Sequence, residues 1–165
     1  MSAIDDKHNE LGGPGGWIGP AVDDEMDTSD GRGRCRDFQN ASIYWSAATG
    51  AWEVHGDIRI KWAQLSGVKG LGFPTTDERG KADGRGRYSE FEHGSIYWTP
   101  ETGAHELRRG PIRKKWADMG REQSHLGYPT SDQRDVSGVV YNEFEGGAIL
   151  IKEGQVEVRD RIDTE

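Results

Sequence analysis

Three copies of one pattern fill this chain, and that repetition limits what it can fold into more than any other feature. The most complete copy runs from Lys69 to Leu107, KGLGFPTTDERGKADGRGRYSEFEHGSIYWTPETGAHEL. A second copy spans Ile18 to Val54 and a third Leu126 to Val158. Ile4, Ile58 and Ile112 mark the same point in successive copies, 54 residues apart. The chain therefore reads as a single domain over 1–165, built of three units at about 4–57, 58–111 and 112–165.

Each unit opens with a short helix. Apolar residues recur at i, i+4 and i+7: Ile58, Trp62 and Leu65, then Ile112, Trp116 and Met119, with Ile4, His8 and Leu11 matching them in the first unit. Ser2 and Asp57 are expected N-caps, with Asp5 completing a variant capping box, and Pro111 suits a first helical turn. A Leu-Gly-Phe-Pro-like turn follows: Ile18-Gly19-Pro20-Ala21, Leu71-Gly72-Phe73-Pro74 and Leu126-Gly127-Tyr128-Pro129. Glycine allows the close approach, and proline sends the chain into extended backbone. An acid comes next in every copy, Asp24, Asp77 or Asp132. Then comes a glycine-rich loop, Asp30–Arg34 or Asp83–Arg87, shortened by two residues in the third copy to Val136–Val140. Strands end on Phe38, Phe91 or Phe144, turn at Gln39-Asn40, His93-Gly94 or Gly146-Gly147, return through Ser42–Trp45, Ser95–Trp98 or Ala148–Ile151, and finish at Trp52–Val54, His105–Leu107 or Val156–Val158.

These patterns predict a mainly β fold with short helices, each unit a helix plus a three-stranded antiparallel meander. Helices this short do not stand alone in water, and a unit of this size buries too little surface by itself. Stacking must complete the core. Neither end carries a polar cap repeat, so a closed, propeller-like ring with pseudo-threefold character is expected, or a six-unit ring completed by homo-oligomerisation of two chains.

Composition narrows the functional classes. Apolar residues are only 33%, but six Trp, five Tyr and four Phe argue against disorder. A net charge of −8 argues against nucleic acid as the main partner and against anionic membranes. No apolar run of about 18 residues is present, so no membrane insertion is expected. The polar start MSAIDDKHNE carries no signal-peptide core, which predicts a cytoplasmic protein as encoded, with non-classical release to the cell-wall or extracellular space as the alternative. The lone Cys35 rules out an internal disulfide and sits where the second unit has Tyr88.

Catalysis is not expected. None of His8, His55, His93, His105 and His125 pairs with a cysteine or second histidine at metal-ligand spacing, and there is no Gly-x-Ser-x-Gly elbow. Glu53, Glu106 and Glu157 recur in every unit, as framework groups do and a catalytic pair rarely does. Gly31-Arg-Gly33 and Gly84-Arg-Gly86 lack the context of a phosphate loop, and no calcium loop of EF-hand form is present. No cofactor or metal is implied.

Taken together, Leu71-Gly72-Phe73-Pro74-Thr75-Thr76-Asp77-Glu78, Asp83–Tyr88, Phe91–Trp98 and Thr102-Gly103-Ala104 resemble the LGFP-repeat family across nearly the whole chain. The first unit departs at Pro20-Ala21 and the third at the glycine-rich loop and at Leu150-Ile151. The resemblance implies a wall-binding or carbohydrate-binding module of the actinobacterial envelope type, in some members a propeller-like ring, and it carries no catalytic residues.

The expected function is non-catalytic, multivalent, lectin-like binding of a cell-wall or surface glycan, the alternatives being a protein–protein assembly module and a wall-active hydrolase. Sugars present C–H faces ringed by hydroxyls, which exposed aromatic rings and a few polar groups match. Candidate ligand-binding residues are Tyr44, Trp45, Trp52, Tyr97, Trp98 and His105, with Asp24, Asp77, Arg34 and Arg87 as hydrogen-bonding partners. Strand alternation places Tyr44 and Tyr97 opposite Trp45 and Trp98, and the tyrosines are expected to be the more exposed pair. Trp62 and Trp116 are assigned to the core. Two working sites are expected, using Arg34 or Arg87 with Tyr44 or Tyr97, and the third unit is expected to be mainly scaffold.

Overall fold

A computed structural model describes residues 2–161. It shows three short α-helices and three separate four-stranded antiparallel sheets, one set per unit. Helix α1 (Ala3–Glu10) packs on the sheet of β1 (Met26–Asp27), β2 (Gly33–Asp37), β3 (Ser42–Ser46) and β4 (Gly50–Val54). Helix α2 (Gly56–Gln64) packs on β5 (Arg79–Gly80), β6 (Arg87–Phe91), β7 (Gly94–Thr99) and β8 (Gly103–Arg108) through β7 and β8. Helix α3 (Pro111–Met119) packs on β9 (Arg134–Val136), β10 (Val139–Phe144), β11 (Gly147–Lys152) and β12 (Gln155–Asp160), mainly through β11. The helix thus belongs with the sheet that follows it.

Ser2 caps α1 as the sequence predicts: its hydroxyl accepts from the Asp5 N–H at 3.1 Å, and the Asp5 carboxylate accepts from the Ser2 N–H at 3.2 Å. In α2 the cap position falls to His55 rather than Asp57, two residues earlier than predicted, and its side chain makes no capping hydrogen bond. Each sheet has four strands, not the predicted three. The added strands β1 and β5 are two residues long, too short to carry an alternation that reads in sequence. The hairpin before β7 turns on Glu92-His93, because Phe91 pairs with Gly94, so Gly94 already lies in the strand.

Within a unit, the helix is pinned to the Leu-Gly-Phe-Pro turn by one ring N–H. Trp62 donates to the Gly72 carbonyl and Trp116 to the Gly127 carbonyl, both at 3.0 Å. His8 takes that role in the first unit, its Nε2 lying 2.8 Å from the Gly19 carbonyl. The turn presents this carbonyl because Gly19, Gly72 and Gly127 all adopt a left-handed backbone, with φ of +81°, +88° and +69°. Each helix ring then packs on its strand-end phenylalanine: His8 on Phe38, Trp62 on Phe91 and Trp116 on Phe144. Ile4, Ile58 and Ile112 are buried beside Ile43, Ile96 and Ile149.

Between units, the opposite face of the first and second sheets meets the next unit's helix. Tyr44 meets Trp62 edge-on with centroids 4.6 Å apart, and Tyr97 meets Trp116 at 4.8 Å. The glycine-rich loop makes the second bond of the joint. Arg32 forks onto Glu92 at 2.6 and 3.3 Å and lies over the Phe73 ring. Arg85 forks onto Glu145 and lies over Tyr128. Both carboxylates also accept the N–H of that same aromatic residue, Phe73 or Tyr128. Gly33 and Gly86 sit directly beneath these rings, where no side chain fits. A third bond is made by Asp77, which accepts from Lys7 at 2.7 Å and from the Glu53 N–H at 3.0 Å. Asp132 does the same with Lys61 and the Glu106 N–H.

The closed ring expected from the sequence is not found. The joints described here run from the first unit to the second and from the second to the third, and the end units lack the parts a further joint needs. The first unit has Pro20 and Gln39 where Phe73 and Glu92 receive the clasp. The third unit has Val136–Val140 in place of the loop that delivers it. What reads in sequence as an absence of caps is a removal of the joint from each end.

Candidate functional site

The joints use up several residues that sequence reasoning assigned to ligand binding. Tyr97 is 3% exposed and Tyr44 is half-buried against Trp62, so burial pushes both phenols well above their ordinary pKa. They are packing residues, because the sheet face opposite the unit's own helix is not open to solvent. Asp77 is committed to the first joint. Trp52 bonds the Thr49 carbonyl and lies under the Lys7 ammonium. Its counterpart His105 has Nε2 on the Thr102 carbonyl at 2.7 Å and Nδ1 3.4 Å from Asp132. Asp24 is exposed.

Trp45 and Trp98 are the half-exposed aromatics, each beside Arg34 or Arg87. In the first unit Ser2, Ile4, Glu25, Arg34 and Trp45 line a cavity of about 210 Å³ at the start of α1. In the second, His55, Asp57, Ile58, Glu78, Arg87 and Trp98 line one of about 260 Å³ at the start of α2. The two are the same place in the repeat. A strand tryptophan forms one wall, the first helical turn another, and a Glu–Arg pair across the β1–β2 or β5–β6 connection the third. Arg34 Nε donates to Glu25 at 2.7 Å, and Arg87 Nε donates to Glu78. The third unit has Gln133, Val140 and Ile151 at the positions of Glu78, Arg87 and Trp98.

Each crevice is tied down differently. The Ser2 hydroxyl donates to Glu25 at 2.6 Å, and with Arg34 it holds that carboxylate below its ordinary pKa although burial opposes it. In the second crevice Trp98 Nε1 donates to Asp57 at 3.0 Å. His55 bridges the joint, with Nδ1 2.7 Å from Glu53 and Nε2 3.0 Å from Glu78. Glu53 is 2% exposed and also accepts the Glu78 N–H at 2.9 Å. Burial alone lowers the His55 pKa, but the two carboxylates outweigh it and raise it from 6.5 to about 9. The ring is therefore a cation at neutral pH, and Glu78 is held ionised against burial by His55 and Arg87.

A titration prediction follows from this bridge. The folded state holds the His55 proton more tightly than the unfolded chain, so its contribution is whole below pH 6.5 and is lost as pH rises to about 9. With a side chain 25% exposed to screening solvent, the expected loss is on the order of 2 kcal/mol. Denaturant unfolding at a series of pH values checks it: stability should fall across that window in the native chain and stay nearly flat in His55→Gln.

Sequence reasoning missed Glu25, Glu78, Ser2, Asp57 and His55. One signal for the first two was present: the Glu and its Arg partner, nine residues apart, are lost together in the third unit as Gln133 and Val140. A depression of about 610 Å³ lies beside Glu101, Glu143 and Arg159. Among the described residues no group of three or more His, Cys, Asp or Glu side chains is placed to hold a metal, and no helix is long and apolar enough to cross a membrane.

The family model described as the LGFP repeat matches the chain three times, over residues 18–70, 71–124 and 126–164. No curated protein sequence matches it.

Proposed function

Starting from a chain that belongs to the LGFP-repeat family, we propose a non-catalytic glycan-binding module with two equivalent sites, at Trp45 with Arg34 and Glu25, and at Trp98 with Arg87 and Glu78. One observation carries the reading. The tryptophan, arginine and glutamate occur together in two units and are all absent from the third, whose core residues otherwise match. Packing does not demand that trio, since Ile151, Val140 and Gln133 serve the third unit's fold. A half-exposed indole supplies the flat apolar face that a pyranose ring covers, and the adjacent guanidinium and carboxylate supply directional partners for its hydroxyls. Cavities of this size hold one or two sugar residues, so each site is weak and the pair acts through avidity on a repeating polymer.

Both crevices are open to solvent, the first at the start of α1 and the second beside the joint that His55 bridges. A glycan array and a pull-down on isolated cell wall test the reading. Binding is expected to a repeating glycan and to fall at least tenfold in Trp45→Ala/Trp98→Ala, while Ile151→Ala leaves it unchanged. Blank results from array and wall alike at millimolar sensitivity sink it. Retained binding in the double variant moves the site elsewhere.

A further inference from the structure

A second kind of crevice opens at each joint, between a sheet's outer face and the next unit's helix. At the first joint it measures about 440 Å³ and is lined with one acid and one base, Asp37 and Arg59, over Tyr44 and Trp62. At the second it measures about 460 Å³, has Tyr97 and Trp116 for a floor, and is ringed by Arg109, Arg113, Lys114 and Arg121 against a single acid, Glu90. Glu90 is already occupied, accepting from Ser95 at 2.6 Å and from Arg113 at 2.7 Å. Lys114 pairs only along the exposed helix surface, with Asp118. Among the described residues Arg109 and Arg121 form no ion pair. Four cations thus converge on one cavity in a chain of net charge −8.

The repeat sets three of these cations apart from the scaffold: Arg113 recurs as Arg59, whereas Arg109, Lys114 and Arg121 do not recur. Ile60 stands where the second joint has Lys114, and Gly67 where it has Arg121. The connector from Glu53 to Ile58 is Val54–Asp57, whereas Leu107–Pro111, from Glu106 to Ile112, is one residue longer and accommodates Arg109. Arg121 is also held in a left-handed backbone, φ +56°, at the position where the other units place Gly13 (φ +65°) and Gly67 (φ +53°). Glycine takes that conformation freely and arginine does not, so the substitution costs the fold something that packing does not return.

We propose that the Arg109–Arg113–Lys114–Arg121 crevice binds a phosphate or sulfate group, carried on a small solute such as a sugar ester or supplied as the free oxyanion. Guanidinium forks match the tetrahedral oxyanion. The site is separate from the Trp45 and Trp98 crevices and stands or falls without them.

Calorimetric titration at low ionic strength with glucose 6-phosphate, glucose, inorganic phosphate and inorganic sulfate tests it. One site per chain is expected for glucose 6-phosphate, weakened steeply by salt, with none for glucose. Inorganic phosphate binding as tightly as the ester supports the site and assigns the free ion as its ligand. Arg121→Gly should weaken binding at least tenfold while the thermal midpoint holds or rises, and Arg109→Gln should weaken it similarly. Trp45→Ala/Trp98→Ala should leave it unchanged. The proposal is overturned if none of the anions binds at millimolar concentration, or if Arg121→Gly and Arg109→Gln bind as the native chain does.

Discussion

Replacing Gly33 by alanine is expected to destabilise the protein by about 3 kcal/mol and to loosen the first joint ahead of the second. A Cβ at this position falls 2.0 Å from the Trp45 backbone carbonyl and 2.8 Å from the Phe73 ring. The carbonyl belongs to the β2–β3 ladder, where Gly33 pairs with Ser46, so it cannot retreat without breaking strand pairing. The ring belongs to the next unit's turn and is fully buried. Either the strand pair or the seat of the second unit must give way. Chemical denaturation with proteolysis of the loosened product reads the effect. A glycine elsewhere in the same loop gives the control: Gly31→Ala has open space around its Cβ, so only its positive φ opposes the change.

Trp116→Ala is expected to cost about 3 to 5 kcal/mol, in the range for removing a fully buried large aromatic. The residue is 1% exposed and serves two units at once. It stacks on Phe144 of its own sheet, takes Tyr97 of the preceding sheet edge-on, and donates its ring N–H to Gly127. Its loss empties both sides of α3 and leaves the Gly127 carbonyl unpaired in the interior. Because the joint centred on Trp116 is what holds the third unit to the second among the described residues, its opening should precede the rest, giving a transition in two steps. Trp116→His repeats what His8 does in the first unit, and should recover part of the loss by restoring the ring N–H. Equilibrium unfolding followed by Trp fluorescence and by far-UV dichroism separates the two steps.

Period and apolar spacing made the units, helices and longer strands legible, because these follow from local pattern. Ile58, Trp62 and Leu65 mark a helix whether or not its partner is known. The sheet's second face was not legible. Tyr44 and Tyr97 alternate away from the apolar Ile43 and Ile96, which in a single sheet means solvent; in a stack it means the next helix. The departures of the end units carried the right information in an ambiguous form. Pro20 for Phe73 and the shortened Val136–Val140 loop look like decay of a motif until Arg32 is seen gripping Glu92 across a joint. Only then does it follow that the first unit lacks this receiver and the third this donor. Arg34 and Arg87 each lie beside the tryptophan of their sheet rather than the tyrosine.

The third unit makes the functional reading countable. If tryptophan, arginine and glutamate are present for a ligand, sites number two, and the unit that lacks them contributes none. Calorimetric titration with a one- or two-sugar fragment of the glycan that binds best on the array, too short to bridge both sites, measures that number directly. The account predicts a stoichiometry of two per chain, one in Trp45→Ala and one in Trp98→Ala, and no binding in the double variant, with all three variants folded. A stoichiometry of three, or a single site that survives the double variant, would contradict it.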